Sequence, residues 1–171
     1  MKKIHVTAIC CAAMMAAMMV PVRAKAQGAS DDDKKFLALA AQGDQNEIAV
    51  SQVAEQKATN PAVKAFAKKM VTEHKAMTAS MKPFAEKWGI TPPMGPDADH
   101  QKEIDKLKEM NGADFDKRYI SDMVDDHGTA LDKFTSEAKD TKDKAFQRAV
   151  IGGKTKVAAH KNMAYDLKKK L

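Results

Sequence analysis

Four ionisable residues interrupt apolar stripes in four separate segments of the chain: Glu47, His74, His127 and His160. Glu47 lies between Gly43 and Val50. His74 lies four residues after Met70 and three before Met77. His127 lies four after Met123 and three before Ala130, and His160 three after Val157 and four before Ala164. Recurrence at three and four residues is helical, so each group is expected on the inward face of its own helix. Three imidazoles and one carboxylate can then act in two ways. As ligands they suit one transition-metal ion, Zn(II), Cu(II), Ni(II) or Fe(II). Alternatively they satisfy one another as a buried polar network that fixes helix register without a ligand. Met70, Met77, Met123 and Met163 flank the histidines. Their thioethers would favour Cu(I), but methionine at helical spacing also reads simply as core.

Height along the bundle decides whether such groups can meet. With Asn60 in the first turn, Glu47 is 13 residues before it and His74 14 after it, which puts them at one level. The midpoint between His127 and His160 falls near Asp143, slightly past the centre of a charged turn at 139–143, so His160 is expected up to a turn off level. Met70-Val-Thr-Glu-His74 resembles Met123-Val-Asp-Asp-His127, and an aromatic residue (Phe66, Tyr119) stands eight positions before each histidine. Neighbours on a helix are about 100° apart. Glu73 and Asp126 are therefore expected at the stripe's edge rather than beside their own histidine.

The elements that must carry these groups are four long helices and one short one. The first reads from about Asp33 to Thr59, opened by the acidic triplet Asp31-Asp32-Asp33, with Phe36, Leu39, Ala40, Gly43, Val50, Ala54 and Ala58 inward. Asn60-Pro61 caps the second, which runs to about Trp88 with Gly89 as C-cap and Pro83 expected to kink or loosen its last turns. The segment 89–96 cannot be helical, and 97–110 is a short amphipathic helix. The third long helix covers about Ala113 to Ala138, the last Lys144 to Lys170. Four one-sided helices of this length must face each other, which gives an all-α four-helix bundle with an extra helix in the long connection between helices 2 and 3. That connection is long enough to cross the bundle, although an up-down path also fits. Gly152-Gly153, inside the last helix, marks a weak point or a close-packing spot.

The first 26 residues read as an export leader: Lys2 and Lys3, an uncharged run from Val6 to Val20, then Pro21 and the cleavage pattern Ala24-Lys25-Ala26. Residues 27–34 form a polar lead-in and 35–171 the helical domain. The whole chain has a net charge of +6, but the leader holds four of its 29 basic residues and none of its 23 acids. What remains is 25 basic against 23 acidic residues, a balance that gives no support to nucleic-acid binding. Both cysteines, Cys10 and Cys11, also lie in the leader, so the processed chain would hold no disulfide, thiolate site or c-type haem. No later segment is apolar enough to span a membrane. No phosphate loop or nucleophilic triad stands out, and adjacent acid and imidazole do not make the Glu-x-x-His pairs of dinuclear iron bundles. The chain reads as an exported protein of the periplasm or outer envelope rather than an enzyme: either a transition-metal binder for storage, buffering or stress protection, or a metal-free envelope interaction or stress protein.

The stretches Asn46-Glu47-Ile48, Asn60 to His74 and Phe115 to His127, followed by His160, resemble the exported bacterial family catalogued as domain of unknown function 4142. The resemblance covers about Phe36 to Leu167. It implies a ferritin-like bundle and a secreted or outer-membrane location. It implies no activity.

Overall fold

Ser30 sets the first helix. In the computed structural model, which describes residues 29–171, its hydroxyl accepts from Asp33 N–H (3.0 Å) and Asp33 Oδ2 accepts from Ser30 N–H (2.9 Å), a reciprocal capping box. Helix α1 therefore covers Asp31–Lys57 and takes in residues the sequence leaves to the lead-in. The leader 1–26 lies outside the described residues. Helix α2, Pro61–Trp88, is capped by Asn60, whose side chain accepts from Ala62 N–H at 2.8 Å. Pro83 does not end it. Helical structure runs on to Gly89, which adopts the left-handed conformation (φ 68°) that glycine tolerates best. Helix α3 is Ala98–Glu109, α4 Gly112–Asp140 and α5 Lys144–Lys168. There is no strand among the described residues.

The path of the chain follows from a few contacts. α1 and α2 form one hairpin, α4 and α5 another. At one end Trp88 packs on Phe146, with ring centroids 4.7 Å apart. At the other, Asp116 near the start of α4 accepts from Thr59 N–H (3.1 Å), Thr59 Oγ1 (2.7 Å) and Asn60 N–H (2.8 Å) in the first turn. α2 thus ends at the opposite end of the molecule from where α4 begins. The connection crosses the full length, and the order is up, down, down, up: a ferritin-like bundle with a single crossover. α3 lies in that crossover and packs on α1 and α4. Asp116 is buried and holds three donors, so Asp116→Ala should cost about 3 kcal/mol in chemical denaturation, because two backbone N–H groups lose their acceptor. An unchanged midpoint would refute that role.

Two apolar clusters fill the bundle. One contains Phe66, Met70, Phe115, Tyr119, Ile120 and Met123; the other Phe36, Leu37, Met77, Phe134, Phe146 and Val150. Met70, Met77 and Met123 belong to these clusters as core, and the partly buried Met163 packs against the first. The stripe of α1 differs from the one expected. Leu39 is 44% exposed and Gly43 lines a groove, whereas Leu37, Ala41, Asp44, Ile48 and Ser51 are buried. The Leu37/Ala41/Asp44/Ile48 face is drawn inward with Asp44, which bonds to His74 and Thr78 of α2.

Gly152 and Gly153 differ sharply. A Cβ on Gly152 would meet nothing within 4 Å, but on Gly153 it would lie 2.4 Å from Phe134 Cε1. Phe134 is buried and held edge-on by Phe36 at 4.9 Å, so it has little room to move. Gly152→Ala should stabilise the protein by about 1 kcal/mol through helix propensity. Gly153→Ala should destabilise it by roughly 1–3 kcal/mol by overpacking. Thermal melts of the two variants should move in opposite directions.

Candidate metal centre

Three helices bring their histidines to one point between the two apolar clusters. His74 (α2), His127 (α4) and His160 (α5) are 3%, 1% and 0% exposed. Each offers one nitrogen to a group in which all three lie within 4.8 Å of one another. His74 Nε2 is 3.4 Å from His127 Nε2, and His160 Nδ1 is 3.3 Å from the same atom. The offset expected for His160 is absorbed because it turns Nδ1, the nitrogen nearer its backbone, toward the centre.

The outer nitrogens are all engaged. His74 Nδ1 donates to Asp44 Oδ1 at 2.9 Å, and Thr78 Oγ1 donates to the other Asp44 oxygen at 3.0 Å. His127 Nδ1 donates to the Met123 carbonyl at 2.9 Å. His160 Nε2 donates to Glu73 Oε2 at 2.6 Å. With its proton committed outward, a neutral imidazole presents a bare lone pair inward. The ring orientations match the pattern in which an outer carboxylate or carbonyl fixes the tautomer of a metal-ligating histidine.

Two of the three separations also match those around an ion. Metal–nitrogen bonds of about 2.0–2.1 Å at a tetrahedral angle place ligands roughly 3.3–3.4 Å apart. Without an ion the same contacts are poor. A second proton on His74 could bridge to His127, yet His160 Nδ1 would still face His127 Nε2 as one acceptor against another. The carboxylates therefore pair with the imidazoles, but at the outer edge of the group and not across its centre.

Charge follows this arrangement. Burial, reinforced by His74, lowers His127 to about 3. Burial also lowers His160, to about 4, against the opposing hydrogen bond to Glu73. Burial pulls His74 down as well, but the Asp44 hydrogen bond and the charges of Glu47 and Asp44 outweigh it and leave His74 above the ordinary value. Glu73 is held well below the carboxylate range: burial raises it, and hydrogen bonds from Lys69, His160 and Lys156 more than reverse that.

Glu47 stands apart from the three histidines. Its Oε1 lies 3.7 Å from Nδ1 of His127, the outer nitrogen, and its Oε2 is buried without a hydrogen-bond partner. Burial raises Glu47 to about 7, and burial with the nearby Glu47 charge does the same for Asp126. Both line a groove of about 520 Å³ between α1 and α4 that reaches His74 and His127. Asp44 is not legible from the expected α1 stripe, which keeps Phe36, Ala40, Ala54 and Ala58 buried but places Gly43 rather than Asp44 inward. Leu37, Ala41 and Ile48, at spacings of four and seven, were the signal for it. Glu73 is at the stripe's edge as expected, and from there it reaches the histidine of a different helix. His100, on α3, pairs with Asp97 at 2.9 Å and meets Asn46 at 3.0 Å.

The chain belongs to the family described as Domain of unknown function (DUF4142), whose sequence model matches residues 18–167. No curated protein matches it. Solved structures share its fold. A DUF305 fragment from Deinococcus radiodurans has a TM-score of 0.71 at 11% identity and covers 85% of this chain and 100% of its own. CopM in the Cu(I)-bound form has a TM-score of 0.68 at 17% identity, covering 81% and 96%. A DUF305 protein from Streptomyces coelicolor described as secreted has a TM-score of 0.68 at 14% identity, covering 80% and 91%. No described helix is long and apolar enough to cross a membrane.

Proposed function

We propose that this protein binds one transition-metal ion through His74, His127 and His160 and stores, buffers or protects against that ion in the cell envelope. Residues 1–26 act as the export leader in this reading. The observation that carries it is the set of three inward nitrogens, two of whose separations are 3.3 and 3.4 Å, with every outer nitrogen already donating. All-imidazole donors suit copper, zinc, nickel or iron. The likeness to CopM, which is known in Cu(I)-, Cu(II)- and Ag-bound forms, makes copper the first ion to test. Glu47, which the sequence grouped with the histidines, faces the outer side of His127, so the reading rests on the three imidazoles.

The deciding experiment is elemental analysis of protein purified without chelators, followed by calorimetric titration with Cu(II), Zn(II) and Ni(II). One ion per chain is expected. Protein that carries no metal and takes up none of these ions would leave the cluster as a structural polar network.

A further inference from the structure

An ion held by the three histidines must reach them from solvent, and the two ways out of the bundle differ in charge. On the α2/α5 side, Glu73 holds His160, and Lys69 Nζ (2.7 Å) and Lys156 Nζ (3.4 Å) both cap the free oxygen of the same carboxylate. A dication arriving there meets two ammonium groups and a carboxylate already occupied by three donors. On the α1/α4 side the groove of about 520 Å³ is lined by His74 and His127 themselves. Asp44, Glu47, Asp126 and Asp97, the N-cap of α3, line it too, as do His100 and Lys133. Glu47, at the wall of this groove, has a buried Oε2 with no hydrogen-bond partner, while its Oε1 lies 3.7 Å from Nδ1 of His127.

We propose that the α1/α4 groove is the path by which a hydrated transition-metal dication reaches the histidines, with Glu47 as the transit ligand that passes it inward. This rests on the ion-binding reading above. A buried carboxylate oxygen with no donor is an open oxygen ligand, and a cleft in which carboxylates outnumber cationic groups concentrates cations. The lysine-capped seam opposite gives the traffic its direction.

The groove also allows a test that separates path from ligand. Gly43 lines it, and a side chain there would meet nothing within 4 Å of its Cβ, so Gly43→Phe should fill the passage without disturbing the core. Stopped-flow measurement with Cu(II) alone as the probe should show uptake and chelator-driven release both slowed at least ~10-fold, with the dissociation constant and one-ion stoichiometry unchanged. Glu47→Gln with Asp126→Asn should slow uptake by ~10-fold and flatten its dependence on salt. Circular-dichroism melts confirm that each variant folds. Unchanged rates in Gly43→Phe and in the charge variant, with the ion still bound, would overturn the path alone. A parent chain that binds no ion would overturn the path together with the reading beneath it.

Discussion

His127→Ala should abolish the rise in thermal stability that a bound ion gives the parent protein. An ion present at ~100 times its dissociation constant stabilises the folded state by about 2.7 kcal/mol. For a domain of this size that is roughly 8 °C in melting temperature. His127 is the residue to remove because its Nε2 is the shared vertex, 3.4 Å from His74 and 3.3 Å from His160. His100→Ala serves as the control, since His100 pairs with Asp97 at the N-cap of α3 and is not one of the three converging imidazoles. His127→Leu should go further. In the ion-free protein His160 Nδ1 and His127 Nε2 face each other as acceptors, and an apolar side chain of similar size removes that conflict. The Met123 carbonyl keeps its helical backbone partner. Ion-free His127→Leu is therefore expected to melt above ion-free parent by about 1 kcal/mol of stability while binding nothing. A parent and variant that shift equally on adding ion would rule out His127 as a ligand.

How much of this the sequence reveals depends on the kind of information each residue carries. Helix bounds are local, and they are legible: Asn60-Pro61 and Gly89 bracket α2 as expected. The histidine layer is legible for a related reason. A short turn and two regular helices convert residue counts into heights, which put Glu47 and His74 level. The second hairpin is less tidy because α4 runs to Asp140, two residues past its expected end, and because a histidine can present either nitrogen. The rotation of α1 is another matter. Two overlapping stripes, one through Leu39 and Gly43 and one through Leu37 and Ala41, differ by a fraction of a turn. Only packing against α2 chooses between them. That choice decides whether Asp44 faces His74, so the carboxylate behind one imidazole is invisible until the helices are assembled. The crossover is likewise tertiary: its length permits two paths, and the Asp116 contacts to Thr59 and Asn60 select one.

Ion binding should displace close to one proton between pH 5 and 6.5, where three ordinary imidazoles would displace up to three. Free histidine titrates near 6.5, but these three do not share an environment. Burial lowers His127 to about 3 against its bond to a neutral carbonyl. Burial lowers His160 to about 4 against its bond to a carboxylate already shared with two lysines. Both are therefore neutral, and ready as ligands, throughout this range. His74 alone donates to a buried carboxylate without such competition and is raised. A proton competes with the ion there and nowhere else in the trio, so affinity should fall about tenfold for each unit of pH below the raised value. Stability of the ion-free protein separates the same groups by sign. His127 and His160, lowered on folding, withdraw stability as pH drops below 6.5 toward 4 and 3. His74, raised on folding, contributes stability that is complete below 6.5 and lost as pH climbs through its folded value. Titration calorimetry in two buffers of different ionisation enthalpy counts the protons. It is best done with Glu47→Gln and Asp126→Asn in place, because both carboxyls sit at about 7 and would otherwise release protons of their own. A count near three would show that burial and the outer acceptors do not divide the imidazoles in this way.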